Sequence, residues 1–308
     1  MKDGILVVNK PEGISSAGVV GRLKRLLNVK KIGHTGTLDP FATGVLLIAI
    51  GKATRISRFF LDGSKGYRAR VTLGSETDTY DCTGQETAKA EPSALEWITE
   101  KRVQELVTSF FGPQEQVAPS YSALKHNGQP LYKLARQGKM IQKPPRHIDI
   151  SHISMEHFEA GPEGEFIFDM DVECSGGTYI RSIAYDMGKR LGCGAHLSGL
   201  CRTRSGQFRL EGALDLNDIE SMDLTAVEDK VVSMSECLKF LPVIIADKAL
   251  IQKIGFGQKF GDRDLESPVT KFEPDSFIRV VDDHDTLLAI VQPDESGQAY
   301  KYSCVFTG

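Results

Sequence analysis

The chain has 308 residues, 41% of them hydrophobic and 25% charged, which excludes a largely disordered protein and leaves room for a sizeable core with one further small domain. Its net charge of -4 hides a segregation along the chain. Residues Gly13–Leu61 carry eight Lys or Arg and one acid, Gln116–Ile148 six and none, and Cys174–Leu210 six and one, whereas Glu211–Gly308 carries 19 acids against nine bases. Three basic segments that meet on one surface would suit a polyanion partner, while solvated helix faces are the plainer account.

In chain order, a five-residue apolar run before Asn9 is too short for a signal-peptide core. No later stretch approaches the ~18 apolar residues of a membrane span, so the chain reads as cytoplasmic. The run predicts a strand over Ile5–Asn9, followed by a Pro-Glu-Gly turn and a helix that Ser15 or Ser16 caps. Val19, Val20, Leu23, Leu26 and Leu27 recur at helical spacing, which leaves Arg22, Lys24 and Arg25 on the outer face. A loop from Gly33 to Gly44 leads into the apolar run Val45–Ile50, a buried strand. The segment Gly44–Thr54 has a P-loop's glycine and lysine, but six residues separate the glycines and Ala53 follows the lysine, so phosphate cradling is not expected.

Further strands are predicted over Tyr67–Leu73, Ile148–Phe158 and Glu165–Cys174, with helices over Ser93–Phe111 and Tyr179–Leu191. The basic stretch Pro113–Pro145 is too long for a simple connection. Beyond Pro242 short β-rich runs, Phe277–Val281, Thr286–Val291 and Tyr300–Phe306, predict a small barrel-like domain. The six cysteines form no C-x-x-C pair. Cys193, His196 and Cys201 lack a fourth ligand and sit among glycines, so no metal site is expected.

Two residues stand out chemically. Asp39 is the only carboxylate in its basic stretch and lies in a Gly-Thr-Leu-Asp-Pro-Phe loop. It either caps the turn before Pro40 or serves as a nucleophile or base that neighbouring cations keep ionised. Arg181 falls in the first turn of a helix that Thr178 would cap, where the helix dipole disfavours a cation. It is either solvated or paired with an anion such as a carboxylate or phosphate. Tyr67 and Tyr179 are either core residues or platforms for a stacked base.

The run GHTGTLDPFATGVLL resembles the catalytic motif of pseudouridine synthases of the TruB type, with Asp39 at the position of the catalytic aspartate. The opening Lys10-Pro11-Glu12-Gly13 is similar to the family's first motif, GYRARVTLGSETDTYDCTG to the strand carrying its active-site tyrosine, and CSGGTYIRSIAYDMGKRLGCGAHLSGLCR to its later motif. YSALKHNGQPLYKLARQGK resembles the family's RNA-gripping thumb, here about residues 113–145. The likeness spans residues 4 to about 210.

The resemblance implies a mixed α/β (α+β) catalytic domain over residues 1–241 on a largely antiparallel sheet, and a PUA-like β-rich domain over residues 242–308. It implies conversion of uridine 55 in the T arm of transfer RNA to pseudouridine. The chain would act as a stand-alone monomer without cofactor, metal or obligatory protein partner. Asp39, Tyr67 and Arg181 are then the expected catalytic residues, with the flipped uracil against Tyr67, Tyr179 and Leu200, and His34 in the space it leaves or on neighbouring nucleotides. A guide-dependent synthase of the dyskerin type is the alternative, against which the basic insertion speaks, since that group lacks the thumb. A non-catalytic RNA-binding protein with a structural Asp39 is the other.

Overall fold

In the computed structural model, residues 1–162, 164–265, 276–295 and 299–307 are described. The opening apolar run forms strand β1, Gly4–Lys10, and the next segment forms helix α1, Ser16–Leu26. Ser15 caps this helix by accepting from the Gly18 N–H, one of the orphan donors of a first helical turn. Val19, Leu23 and Leu27 are buried, while Arg22, Lys24 and Arg25 face solvent. Strand β2, Ile32–His34, pairs antiparallel with β3, Thr43–Ile50, and leaves residues 35–42 as the loop between them.

Five more strands complete the body of the main sheet: β4, Lys65–Leu73; β5, Gly112–Gln116; β6, Arg146–Ala160; β7, Phe166–Cys174; and β8, Ala195–Ser205. Its order runs β1-β3-β8-β4-β7-β6-β5. Every neighbouring pair on that path is antiparallel except β3 and β8, which run parallel through Cys201↔Thr43 and Arg202↔Gly44. Gly44 has φ +100°, and a Cβ there would lie 2.3 Å from the Arg202 carbonyl oxygen. Only glycine admits so close an approach in that backbone conformation.

Strand β4 shows how the pattern is used. Tyr67, Ala69, Val71 and Leu73 point inward, and Arg68 and Arg70 point outward to ion pairs with Asp171 and Asp169 across the strand. This is the alternation of a sheet with one apolar face. Helix α2, Glu100–Thr108, and helix α3, Ile180–Leu191, help fill the main core. The helix predicted from Ser93 is broken, because Thr99 adopts an extended conformation (φ -129°, ψ 152°) and caps α2 by accepting from the Arg102 N–H. Only Pro92–Leu95 is helical before it.

The insertion after β5 holds a short hairpin, Lys125–His126 with Gln129–Pro130, and a one-turn helix, Leu131–Ala135. Residues 113–116 belong to β5, so the sheet extends into what the sequence suggested was insertion.

Beyond Pro242 a second sheet has the order Val243–Ile245, Ile278–Val281, Leu287–Pro293, Ala299–Val305, Phe260–Gly261. Its first pair is parallel and the others are antiparallel. Val281, Leu287, Ile290 and Phe306 share an apolar cluster with Ile5, Val7, Val45, Leu47, Ala49 and Phe60. Alternate residues of β1 and β3 therefore enter two cores, which is why Val45–Ile50 reads as an unbroken apolar run.

Candidate active site

Asp39 sits in the loop between β2 and β3, and that loop is tied down by side chains from three other segments. The Ser16 hydroxyl, in the first turn of α1, accepts from the Leu38 N–H and donates to the Leu38 carbonyl, both at 2.8 Å. The Pro40 carbonyl accepts from the Gly13 N–H at 2.8 Å and from Lys10 Nζ at 3.2 Å. From β8, Arg202 donates to the carbonyls of Val45 (2.7 Å), Thr37 (3.3 Å) and Gly36 (3.2 Å). A loop held on both flanks presents its carboxylate in one position, as catalysis needs.

Arg181 is the partner. Its Nε lies 2.9 Å from Asp39 Oδ2, and its Nη1 lies 3.2 Å from Asp81 Oδ2. Its Nη1 and Nη2 also donate to the carbonyls of Thr79 (2.7 Å) and Tyr121 (2.9 Å). Arg181 is 3% exposed, so its charge is sustainable only because carboxylates stand on two sides. Asp81 is equally buried and fixed, accepting from Thr79 Oγ1 (2.8 Å) and from the N–H (3.0 Å) and hydroxyl of Thr83. The cation that the dipole of α3 disfavours is thus held by two anions. Thr178 does not cap that helix. Tyr179 is the N-cap, and the Thr178 hydroxyl donates to the Ser175 carbonyl instead.

Two clefts flank this triad. One, about 540 Å³, is lined by Asp39, Lys65, Tyr67, Tyr179, Arg181, Leu200 and Arg202. The other, about 490 Å³, contains His34, Asp39, Asp81, Tyr132, Arg136 and Arg181. Tyr67, Tyr179 and Leu200 therefore share one cleft, and His34 lies in the second; Asp39 and Arg181 border both. Tyr179 is clamped through its backbone by Gln116, whose amide donates to the Tyr179 carbonyl at 2.9 Å and accepts its N–H at 2.8 Å. The Arg146 guanidinium covers the Tyr179 ring at 4.6 Å and donates to the Gly177 carbonyl.

The nearby cations are not the largest influence on the ionisation of Asp39. Burial raises its pKa and the Asp81 charge adds to that, while Arg181 and Lys10 oppose them. The reason is desolvation, which outweighs the ion pair in so enclosed a place. Burial also lowers His34, with Arg202 contributing, and raises the Tyr67 phenol. Lys10 is held at about 8 by burial, partly offset by Asp39. Asp39 itself keeps a third of its side chain exposed, 34%, so a substrate can reach it.

Sequence reasoning missed Asp81, Gln116, Lys10, Lys65 and Arg202. Asp81 lies among Glu76 and Asp78, so no contrast of charge marks it. Among the described residues no group of three or more His, Cys, Asp or Glu could hold a metal ion, and Cys193 and Cys201 are free thiols.

Residues 24–180 match the N-terminal domain of the TruB family of pseudouridylate synthases, and residues 181–241 match the C-terminal domain of tRNA pseudouridylate synthase B. The chain is 40% identical over 284 residues to the tRNA pseudouridine synthase B of Francisella philomiragia, covering 91% of each chain. It is 43% identical over 258 residues to that of Syntrophotalea carbinolica, covering 83% of this chain and 81% of the other. Among solved structures it resembles one in a Cbf5-Nop10-Gar1 complex, with a TM-score of 0.74 at 24% identity over 99% of this chain and 85% of that one. That last likeness bears on the fold.

Proposed function

The chain belongs to the TruB family and is a tRNA pseudouridine synthase with the mixed α+β fold of these enzymes, and from that premise we propose that it acts alone and without a cofactor on uridine 55 in the T arm, with Asp39 as nucleophile. The observation that carries the proposal is the Asp39–Arg181 pair at 2.9 Å, standing between two clefts, one of which holds Tyr67, Tyr179 and Leu200.

The reaction breaks the N1–C1′ glycosidic bond, turns the uracil and joins it through C5, so the product is an isomer of the substrate and no oxidant, reductant or donated group is consumed. A base stacked inside a loop must first be extruded, and the cleft supplies surfaces to replace its neighbours. Tyr67 and Tyr179 serve as those surfaces, with Leu200 beside them and Tyr67 placed to assist removal of the C5 proton. Arg181 orients Asp39 and supports its charge. His34, in the second cleft, occupies the space that the base leaves or touches adjoining nucleotides. The insertion supplies the grip on the stem, with Lys125, Lys133, Arg136 and Lys139 all exposed, which favours an enzyme that needs no guide RNA or accessory protein. As a monomer of the cytoplasm it would meet its substrate directly.

The test is to incubate purified protein with an unmodified transfer RNA transcript and to map pseudouridine by position. Formation at uridine 55 without additions is the expected result. A requirement for a guide RNA or a second protein, or modification at another uridine, would replace this reading.

A further inference from the structure

The cleft that holds Tyr67 has positive charge beneath it that the Arg181 triad does not use. Lys10, Lys65 and Arg202 are 0%, 4% and 1% exposed, and among the described residues none of them forms an ion pair with a carboxylate. Their donors go to backbone carbonyls: Lys10 to Pro11, Ile14 and Pro40, Lys65 to Phe60 and Gly63, and Arg202 to Gly36, Thr37 and Val45. Tying carbonyls together needs only neutral donors, and a buried charge without an anionic partner is costly. A site that retains three such charges invites an anion.

Their placement says where. Lys65 and Tyr67 are two residues apart on the inward face of β4, and Tyr67 lies opposite Arg202 in the β4–β8 register. Lys65, Tyr67 and Arg202 line the same cleft as Asp39. The Arg202 charge acts on Lys10, Lys65 and Tyr67 alike. Burial and that neighbour lower Lys65 to about 8, which leaves it largely protonated at neutral pH.

We propose that Lys65 and Arg202, backed by Lys10, form a cationic wall that stabilises the negative charge carried by the uracil ring between bond breaking and bond making. This rests on the assignment of the cleft as the uridine site. The charge arises by either route open to Asp39. Attack at C1′ expels uracil with the N1–C1′ electron pair, spread over N1, O2 and O4. Attack at C6 instead pushes the C5–C6 pair onto O4 as an enolate before the glycosidic bond parts. When C5 joins C1′ the electrons return to a C–C bond, the bond to Asp39 is released, the C5 proton leaves to a base and N1 takes up a proton. Atoms and electrons balance, and the ring is anionic only in between. Fixed cations in a water-poor cleft lower the energy of that interval without reorganising.

The test separates charge from tethering. Lys65→Gln keeps amide donors but no charge, Lys65→Met keeps neither, and Lys65→Arg keeps both. Single-turnover rates are measured on a T-arm stem-loop with uridine or 5-fluorouridine at the target, beside RNA affinity and a cooperative melt. Both neutral variants are expected to lose about 10- to 100-fold in rate, with affinity within about twofold and Lys65→Arg within about fivefold of wild type. Fluorine stabilises a ring anion, so their loss in consuming the fluorinated nucleoside should be at least about threefold smaller. Lys65→Gln as fast as Lys65→Arg would make Lys65 a tether of the Phe60–Gly63 turn and overturn the proposal, as would equal losses on the two substrates. If Lys65→Met fails to melt cooperatively, the Gln and Arg pair decides alone. Wild type is assayed first, and its failure on the stem-loop would count against the functional assignment rather than the wall.

Discussion

The Asp39 loop and the insertion after β5 are both irregular segments that carry charge to one cleft, yet they are built in opposite ways. Residues 35–42 are held by Ser16, Gly13, Lys10 and Arg202, so the only charged side chain of that loop has little freedom. The insertion is fixed at its base, where Gln116 grips Tyr179, Ser182 donates to the Val117 carbonyl and Arg181 to that of Tyr121. Further out, Lys125, Lys133, Arg136 and Lys139 stand in solvent and none forms an ion pair among the described residues. Bond making requires sub-ångström placement. Holding phosphates requires cations that adapt, and adaptation costs little when the charge is already hydrated.

That contrast is tested most sharply at its fixed end. Asp39→Asn should reduce pseudouridine formation to below about 1% of wild type while RNA affinity stays within about tenfold, because neutralising one acid beside four cations does not weaken attraction for phosphates. Turnover and a filter-binding isotherm on the same preparation check it. Residual turnover above that level would mean that Asp39 only shapes the loop.

Asp81→Asn comes next. It leaves Arg181 with one carboxylate instead of two and should lower turnover by about 10- to 100-fold, the effect of losing half of a buried ionic support. It also has a directional signature. Burial and the Asp81 charge both favour the neutral form of Asp39, so in wild type the acid limb of the rate should lie above the ordinary aspartate value of 3.8. Removing that like charge stabilises ionised Asp39, and the limb should move to lower pH. A limb that stays in place would show that the two carboxylates do not sense each other through Arg181.

Gln116→Leu probes the border between the two regions. It leaves the Tyr179 N–H without a partner and its carbonyl with the Ile183 N–H alone, a penalty of about 1–3 kcal/mol. Because Tyr179 lines the cleft, kcat should fall by about 5- to 10-fold with a smaller change in KM. A change confined to KM would place Gln116 with the insertion's grip rather than with the cleft.

How far these distinctions were legible in sequence follows from the same physics. Asp39 and Arg181 could be singled out because each violates a local expectation, an acid alone among bases and a cation at a helix N-terminus. The strands β1, β3 and β4 were legible because burial on both faces or on one leaves different periods. Asp81, Gln116 and Arg202 break no local rule. Arg202 acts on the Asp39 loop from a strand more than 150 residues away in the chain, and only the parallel junction of β3 and β8 brings it there. The break before α2 escaped because apolar residues continue on both sides of Thr99, from Leu95 and Ile98 to Val103 and Leu106, although Thr caps a helix better than it continues one. The shared core between the tail and β1 and β3 likewise depends on pairing that no window of sequence contains.

The smallest expected effect on turnover is the one that isolates the insertion. Excising the whole segment would also remove Gln116 and Tyr121 from Tyr179 and Arg181, and so confuse grip with chemistry. Replacing Lys125, Lys133 and Lys139 with Gln leaves those ties intact. Each phosphate that is no longer neutralised reduces the slope of log K against log salt by about 0.7 to 0.9, so freeing three phosphates would remove about 2 to 3 from the slope and raise Kd by about 10-fold or more at moderate salt. The saturated single-turnover rate should remain within about twofold, because no partner of Asp39 or Arg181 has changed. The measurement is Kd and rate on full-length transfer RNA over a series of salt concentrations. A triple variant that binds more weakly and also reacts much more slowly at saturation would mean that phosphates held far out on the insertion are felt at Arg181 through the Tyr121 carbonyl, and the separation of a fixed loop from an adaptable one would give way to a single coupled device.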